Sequence, residues 1–176
     1  MDDLVSVIIP YYKKRNFVKE SVVSVINQSY DNLEILIIYD DTNLNDLEFL
    51  QEISKLDKRI RIINNNKRLG AGLSRNKGIE QSSGKYIAFI DADDTWAPDK
   101  LKDQISFMKK NDYQISHTSY FIIDERKREI PKMAVSKKFW LFKVKKTTSV
   151  IKGIKINCIQ TNFIRLGDIF GSNLSF

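Results

Sequence analysis

Short apolar runs alternate with amphipathic stretches over the first two thirds of this 176-residue chain, and this alternation restricts its fold more than any other feature. The apolar runs have the length of buried strands, and the segments between them carry apolar residues at helical spacing. Strands are predicted at Val5–Ile9, Leu33–Tyr39, Arg59–Asn64, Tyr86–Ile90 and Ile115–Ile123. Helices are predicted from a cap at Asn16, over Asn45–Lys55, over Ala71–Gln81 and from a first turn at Pro98. The pattern predicts an α/β fold with a mostly parallel sheet and helices on both faces.

Composition excludes several classes of protein. Hydrophobic residues make up 42% and charged residues 29% of the chain, so wholesale disorder is excluded. Cys158 is the only cysteine and His117 the only histidine, which excludes an intrachain disulfide and a His-rich zinc site. The acidic start Met1-Asp2-Asp3 does not fit a signal peptide, and no apolar run reaches the roughly 18 residues of a membrane span. We therefore expect a cytoplasmic protein that can still touch the inner face of the cell membrane.

Positive charge is concentrated in the second half. Residues 1–94 carry a net charge of −2 and residues 95–176 a net charge of +9. The sequence predicts an α/β core over residues 1–124, followed by a basic segment of the same domain over residues 125–176. Such asymmetry indicates either an anionic partner or a solvated, lysine-rich face. Lys137–Lys146, where Phe and Trp alternate with lysines, either contacts an anionic membrane or covers the sheet.

Polar residues follow the predicted strands where a parallel sheet binds ligands, at the carboxyl ends. Asp91-Ala92-Asp93-Asp94 concentrates three carboxylates after the fourth strand. These carboxylates either bind Mn²⁺ or Mg²⁺, which would relieve their repulsion, or form an acidic turn before the next helix. Asp40-Asp41, after the second strand, either accepts hydrogen bonds from a base or ribose or forms an Asx turn.

A glycine-spaced basic segment, Leu69–Gly78, opens the third predicted helix. Either its backbone, with Lys67, Arg68 and Arg75, approaches a phosphate, or Gly72 and Gly78 relieve close packing of the helix on the sheet. The GxGxxG fingerprint and the Walker GK[ST] sequence are both absent, which disfavours an NAD enzyme and a P-loop NTPase.

Six segments in one order resemble the nucleotide-diphospho-sugar-binding half of inverting family 2 glycosyltransferases, which have the GT-A fold. They are VSVIIPYY, INQSY, LEILIIYDD, LSRNKGI, GKYIAFIDADD and WAPDKL. The resemblance covers residues 4–124 and implies transfer of a sugar from a nucleotide donor, most simply a UDP-sugar. The acceptor it implies is a glycan or a lipid-linked glycan, in cell-surface polysaccharide or lipopolysaccharide assembly.

The resemblance also implies roles for individual residues. Asp91 and Asp93 match the metal-binding DxD motif of the family, and Arg68 or Arg75 would approach the base or diphosphate. The other residues that it places in the donor site are Pro10, Tyr11, Asp40, Asp41 and Ala92.

Two departures from the family pattern leave alternatives open. Thr42-Asn43 stands where the family usually has Gly-Ser, and no later acidic motif matches the catalytic base, because the surroundings of Asp168 differ. The catalytic base is therefore unassigned, and a non-catalytic nucleotide-sugar-binding remnant is the alternative to an active enzyme. A nucleic-acid-binding domain is a third hypothesis, but the acidic strand ends and the lack of a binding motif speak against a nucleic-acid partner.

Overall fold

The computed structural model describes residues 2–118, residue 123 and residues 157–160. Strands and helices alternate along this part of the chain, as the apolar pattern predicts. The strands are β1 (Val5–Tyr11), β2 (Leu33–Tyr39), β3 (Ile60–Asn64), β4 (Tyr86–Phe89), β5 (Ile115–His117) and β6 (Asn157–Gln160). The helices are α1 (Arg15–Ile26), α2 (Leu44–Ser54), α3 (Ala71–Glu80) and α4 (Lys100–Asn111).

The strands form one sheet in the order β3-β2-β1-β4-β6-β5. Every strand pair runs parallel, with β1 hydrogen-bonded to β2 on one side and to β4 on the other. The predicted α/β fold with a parallel sheet is therefore confirmed. Because all strands point the same way, their carboxyl ends meet at one edge, which we call the carboxyl rim.

Alternate residues of β1 point to opposite faces of the sheet, and each face has its own apolar cluster. Val7 and Ile9 belong to a cluster that also contains buried residues of α1, α2 and α4. Ile8 belongs to the cluster on the other face, against which Ile79 of α3 packs. Helices thus cover both faces, and the long apolar runs of β1 and β2 follow from burial on both sides.

Helix α3 lies very close to β1 because of a glycine. A Cβ atom at Gly78 would lie 2.5 Å from Cγ2 of Ile8, a distance that van der Waals repulsion forbids. For Gly78, the structure therefore bears out the close-packing interpretation of the glycine-spaced segment.

Several predicted boundaries are wrong. Helix α1 begins at Arg15 with Lys14 as its N-cap, rather than after a cap at Asn16, because Lys13 turns the chain through a left-handed φ of 51°. Strand β1 continues past Pro10 to Tyr11, where its register is with β2 alone, and a proline is tolerated at such a position. Helix α4 begins at Lys100, so Pro98 precedes its first turn.

Two further differences concern the second half of the chain. Strand β5 ends at His117, well before the predicted Ile123. Strand β6, within residues 150–165 where the resemblance to a later strand of the family is faint, lies between β4 and β5. The Lys137–Lys146 segment and Asp168 lie outside the described residues. Among the helices that are described, none has the length and apolar character needed to cross a membrane.

Candidate functional site

The carboxyl rim brings two predicted segments and one further turn together, since β1 lies between β2 and β4. Asp40 and Asp41 follow β2, Asp91–Asp94 follow β4, and the turn Tyr12–Lys14 follows β1 between them. Tyr12 contacts Arg68 of the β3–α3 loop and Lys14 contacts Asp93, so this turn joins that loop to the acidic segment after β4.

Asp40 is buried and fully engaged by the protein itself. Its Oδ1 accepts hydrogen bonds from Nδ2 of Asn65 at 2.9 Å and the backbone N–H of Leu69 at 2.7 Å. Its Oδ2 accepts one from the backbone N–H of Gly70 at 2.7 Å, and Asn65 is held in turn by Oγ of Ser74 at 3.1 Å. Gly70 has a φ of 85°, which suits glycine. Asp40 therefore fixes the β3–α3 loop, and two N–H groups where α3 begins are taken by a carboxylate of the chain.

Asp41 differs from its neighbour in having an oxygen without a partner. Its side chain is buried, with 8% of the residue exposed, and Oδ1 accepts a hydrogen bond from the backbone N–H of Thr42 at 2.7 Å. Oδ2 is buried and has no hydrogen-bond partner among the residues that the structure describes. A buried charged oxygen without a donor is costly, which makes this atom a candidate to accept a hydrogen bond from a ligand.

Two consecutive tyrosines follow different courses at the end of β1. Tyr11 is fully buried, its ring stacks on Tyr39 at 5.9 Å, and its hydroxyl donates to Oδ2 of Asp46 at 2.6 Å. Burial, reinforced by this bond to Asp46, raises the pKa of the Tyr11 hydroxyl. Tyr12 is half-buried, and the guanidinium of the exposed Arg68 lies 4.1 Å from its ring centroid. Tyr12, rather than Tyr11, thus presents an aromatic face at the carboxyl rim.

The acidic segment after β4 forms a tight turn, closed by a 3.0 Å hydrogen bond from the N–H of Asp94 to the carbonyl of Asp91. Both carboxylates of its DxD motif contact cations. Oδ1 of Asp91 accepts from a terminal nitrogen of Arg75 at 2.6 Å, and Oδ2 of Asp93 accepts from Nζ of Lys14 at 2.7 Å. Ala92 between them is buried. Arg75 and Lys14 therefore offset the repulsion between the two carboxylates.

These carboxylates have the chemistry that a hard divalent cation requires. The side chains of Asp91 and Asp93 are 35% and 39% exposed, and each already faces a positive group. In the described part of the chain, no group of three or more His, Cys, Asp or Glu residues could enclose a metal ion. An ion at this turn would thus rely on water or substrate oxygens for its remaining ligands, which is usual for Mg²⁺. The residues fit such an ion.

Comparison with known proteins identifies the family of the chain. The model of glycosyl transferase family 2 matches residues 6–171, nearly the whole chain. The chain belongs to this family.

Two named proteins are similar to this chain over part of their length. An uncharacterized glycosyltransferase of Rickettsia felis is 46% identical over 129 residues, which cover 73% of this chain and 21% of that protein. The UDP-Glc:alpha-D-GlcNAc-diphosphoundecaprenol beta-1,3-glucosyltransferase WfgD of Escherichia coli is 40% identical over 125 residues, covering 70% of this chain and 49% of that protein. The chain thus spans about a fifth to a half of the length of these two relatives.

A solved structure shares the fold. The mannosyltransferase PcManGT of Pyrobaculum calidifontis, in complex with GDP-Man and Mn²⁺, superposes with a TM-score of 0.60 and 19% identity, covering 66% of this chain and 35% of that one. The fold is therefore GT-A, as the resemblance implies.

Sequence reasoning assigned no role to two residues that the structure brings to the centre of the rim. Tyr12 was adjacent to the predicted Tyr11, and strict strand alternation after Pro10 would have shown that only one of the two can face the core. Lys14 gave no signal, because its contact with Asp93 spans 79 residues of sequence. Of the predicted residues, Asp91 forms an ion pair with Arg75, and the guanidinium of Arg68 lies over the ring of Tyr12. Tyr11 is fully buried.

Proposed function

We propose that this chain forms the donor-binding part of an enzyme that transfers a sugar from a nucleotide-diphospho-sugar to a glycan or lipid-linked acceptor. A UDP-sugar is the proposed donor, and cell-surface polysaccharide or lipopolysaccharide assembly is the proposed setting. Family 2 membership supports the reaction class, and the name of WfgD supports a UDP-sugar and a lipid-linked acceptor.

The buried, unpartnered Oδ2 of Asp41 is the observation that carries the proposal. Uracil presents an N–H donor that this oxygen would accept, and such a bond would offset the cost of burying the carboxylate. An acidic acceptor at this position also disfavours a polyphosphate as the group that binds beside Asp41, because the two would repel. We therefore assign the base to the β2 side of the rim.

The remaining parts of a nucleotide fit the rest of the rim. The ring of Tyr12, with Arg68 on it, and the half-buried Pro10 offer a wall for the base or ribose. Arg75 supplies a fixed positive charge near the turn after β4, where we place the diphosphate. Asp40 acts by holding the loop that carries Arg68, and Tyr11 by bracing the end of β1.

Asp91 and Asp93 would hold a Mn²⁺ or Mg²⁺ ion, which supplies neutralisation of the charge that develops on the diphosphate leaving group. The Mn²⁺ reported with PcManGT is consistent with a divalent cation in this fold. Deprotonation of the acceptor hydroxyl requires a base, and no residue of the described chain is assigned to that role.

Binding and turnover measured on the same protein test this proposal. We expect UDP to bind more tightly with Mn²⁺ than without it, and Asp93→Ala to abolish that Mn²⁺ dependence while the protein remains folded by circular dichroism. An unchanged Mn²⁺ dependence in this variant would remove the metal site. Donor hydrolysis or sugar transfer would establish an active enzyme, whereas binding without either would favour the non-catalytic remnant.

A further inference from the structure

The turn between β1 and α1 directs a lysine at the DxD carboxylates. Lys13 adopts the left-handed region with a φ of 51°, which is uncommon for a residue with a side chain. The next residue, Lys14, caps α1 through its backbone carbonyl, which accepts from the N–H groups of Phe17 and Val18 at 3.0 Å each. Its backbone is thereby fixed, and its ammonium group lies 2.7 Å from Oδ2 of Asp93.

The two cations at the DxD motif are held in different ways. The side chain of Arg75 is only 12% exposed, and its guanidinium is confined next to Asp91. The side chain of Lys14 is 43% exposed, on a flexible four-carbon stem. An exposed pair of this kind contributes little stability, so the Lys14 ammonium can leave Asp93 at small cost, whereas the Arg75 guanidinium cannot.

We propose that Lys14 is an exchangeable cation that occupies Asp93 in the free protein and leaves it when a divalent metal ion binds. The inference rests on the proposed function, because it takes Asp91 and Asp93 as the metal ligands. Lys14 neutralises a carboxylate that would otherwise repel Asp91, and it competes with the metal for the same oxygen. Arg75 remains in place and keeps Asp91 oriented.

Binding of Mn²⁺ alone, without nucleotide, measures this competition. Free Mn²⁺ is counted by electron paramagnetic resonance in titrations of the 176-residue chain and of two variants. Lys14→Met removes the competing ammonium, and we expect it to bind Mn²⁺ about 1.4- to fivefold more tightly, the range that follows from an exposed ion pair. Lys13→Met is the matched control, because it removes the same charge one residue away, where the ammonium lies 5.3 Å from the Tyr12 ring. We expect a smaller gain from it.

Chemical labelling of the amine supplies a second, independent measurement. Acetylation of each lysine by a succinimidyl ester is followed by mass spectrometry with and without Mn²⁺. We expect Mn²⁺ to speed the labelling of Lys14 at least twofold and to leave that of Lys13 unchanged. In Asp93→Asn, Lys14 is expected to label rapidly in both conditions, because its partner no longer carries a charge.

The outcomes separate the inference from the function on which it rests. If Asp93→Asn weakens Mn²⁺ binding, the metal site stands. The exchange is then overturned if Lys14→Met binds Mn²⁺ as tightly as wild type, or if Lys14→Met and Lys13→Met gain the same Mn²⁺ affinity. If Asp93→Asn binds Mn²⁺ as tightly as wild type, the metal site itself is wrong and the exchange falls with it. Labelling of Lys14 that does not respond to Mn²⁺ also contradicts the exchange.

Discussion

At the scale of single residues, the two aspartates after β2 show how adjacent identical side chains acquire different tasks. Three donors of the chain satisfy Asp40, whereas Asp41 keeps one buried oxygen without a partner in the described structure. Such an atom lowers stability in the free protein and gains a bond when a ligand arrives. Stability and binding are therefore opposed at Asp41.

Replacing Asp41 by Asn tests this opposition. The amide keeps an oxygen for the N–H of Thr42 and removes the buried charge, so we expect the free energy of unfolding to rise by about 1 kcal/mol. UDP affinity should fall about tenfold to a hundredfold, the range for a hydrogen bond to a charged group. Urea unfolding and isothermal titration calorimetry measure the two effects.

Asp46→Asn is the control for Asp41→Asn. Asp46 is equally buried, but its carboxylate accepts from the Tyr11 hydroxyl and from Arg15. We expect this variant to lose stability and to keep its UDP affinity. A loss of stability with unchanged UDP affinity in Asp41→Asn would show that Asp41 is a structural residue like Asp46.

At the scale of elements, the Asp57–Arg59 pair joins two connections on the side of the sheet opposite to the carboxyl rim. Asp57 accepts from Nε of Arg59 at 3.0 Å and from a terminal nitrogen at 2.7 Å. The same guanidinium donates to the carbonyls of Ile26 and Asp31, at 3.1 Å each. The pair therefore ties the α2–β3 connection to the α1–β2 connection.

This pair predicts a pH dependence of stability. The hydrogen bonds from Arg59 lower the pKa of Asp57 below its ordinary 3.8. A lowered pKa in the folded state means that the stabilisation is present above pH 3.8 and is lost as the pH falls through the lower folded value. We expect Asp57→Asn to reduce the free energy of unfolding by about 1–2 kcal/mol at pH 7, and the gap to wild type to shrink below pH 3.8.

Urea unfolding at pH 7, 5 and 3 measures that gap. Glu52→Gln is the matched control, because its partner Lys55 and Glu52 itself are 69% and 68% exposed. Solvent screens such a pair, so no measurable change is expected at any of the three pH values. A gap for Asp57→Asn that is as large at pH 3 as at pH 7 would assign its effect to lost packing instead of charge.

The sequence predicted the strands well because burial on both faces leaves nearly continuous apolar runs such as LEILIIY. It failed where tertiary contacts decide. The start of α1 depends on the unusual backbone of Lys13, and the four residues of β6 show no periodicity to recognise. Likewise, a parallel sheet predicts that Asp40, Asp41 and Asp91 lie at the same edge. It does not predict the direction in which each carboxylate points.

At the scale of the whole molecule, the carboxyl rim unites parts that are distant in sequence. Lys14 and Asp93, like Arg75 and Asp91, link the ends of β1, α3 and β4. A ligand that binds across Asp41 and the DxD turn would therefore stabilise the fold as a unit. By linkage, UDP at a hundredfold excess over its dissociation constant adds about 2.7 kcal/mol.

Linkage between UDP binding and folding predicts a rise in melting temperature, and that rise also separates the function hypotheses. For a chain of this length, about 2.7 kcal/mol corresponds to a rise in melting temperature of about 5–10 °C, since each kcal/mol is worth about 2–4 °C. We expect that rise with UDP and Mn²⁺ in a thermal-shift assay. We expect a much smaller rise with uridine and Mn²⁺, because uridine lacks the diphosphate that we place near the turn after β4. Single-stranded DNA should give none, because the rim is acidic after β2 and β4. A rise with DNA that disappears at high salt, together with none for UDP, would instead indicate nucleic-acid binding through the basic second half.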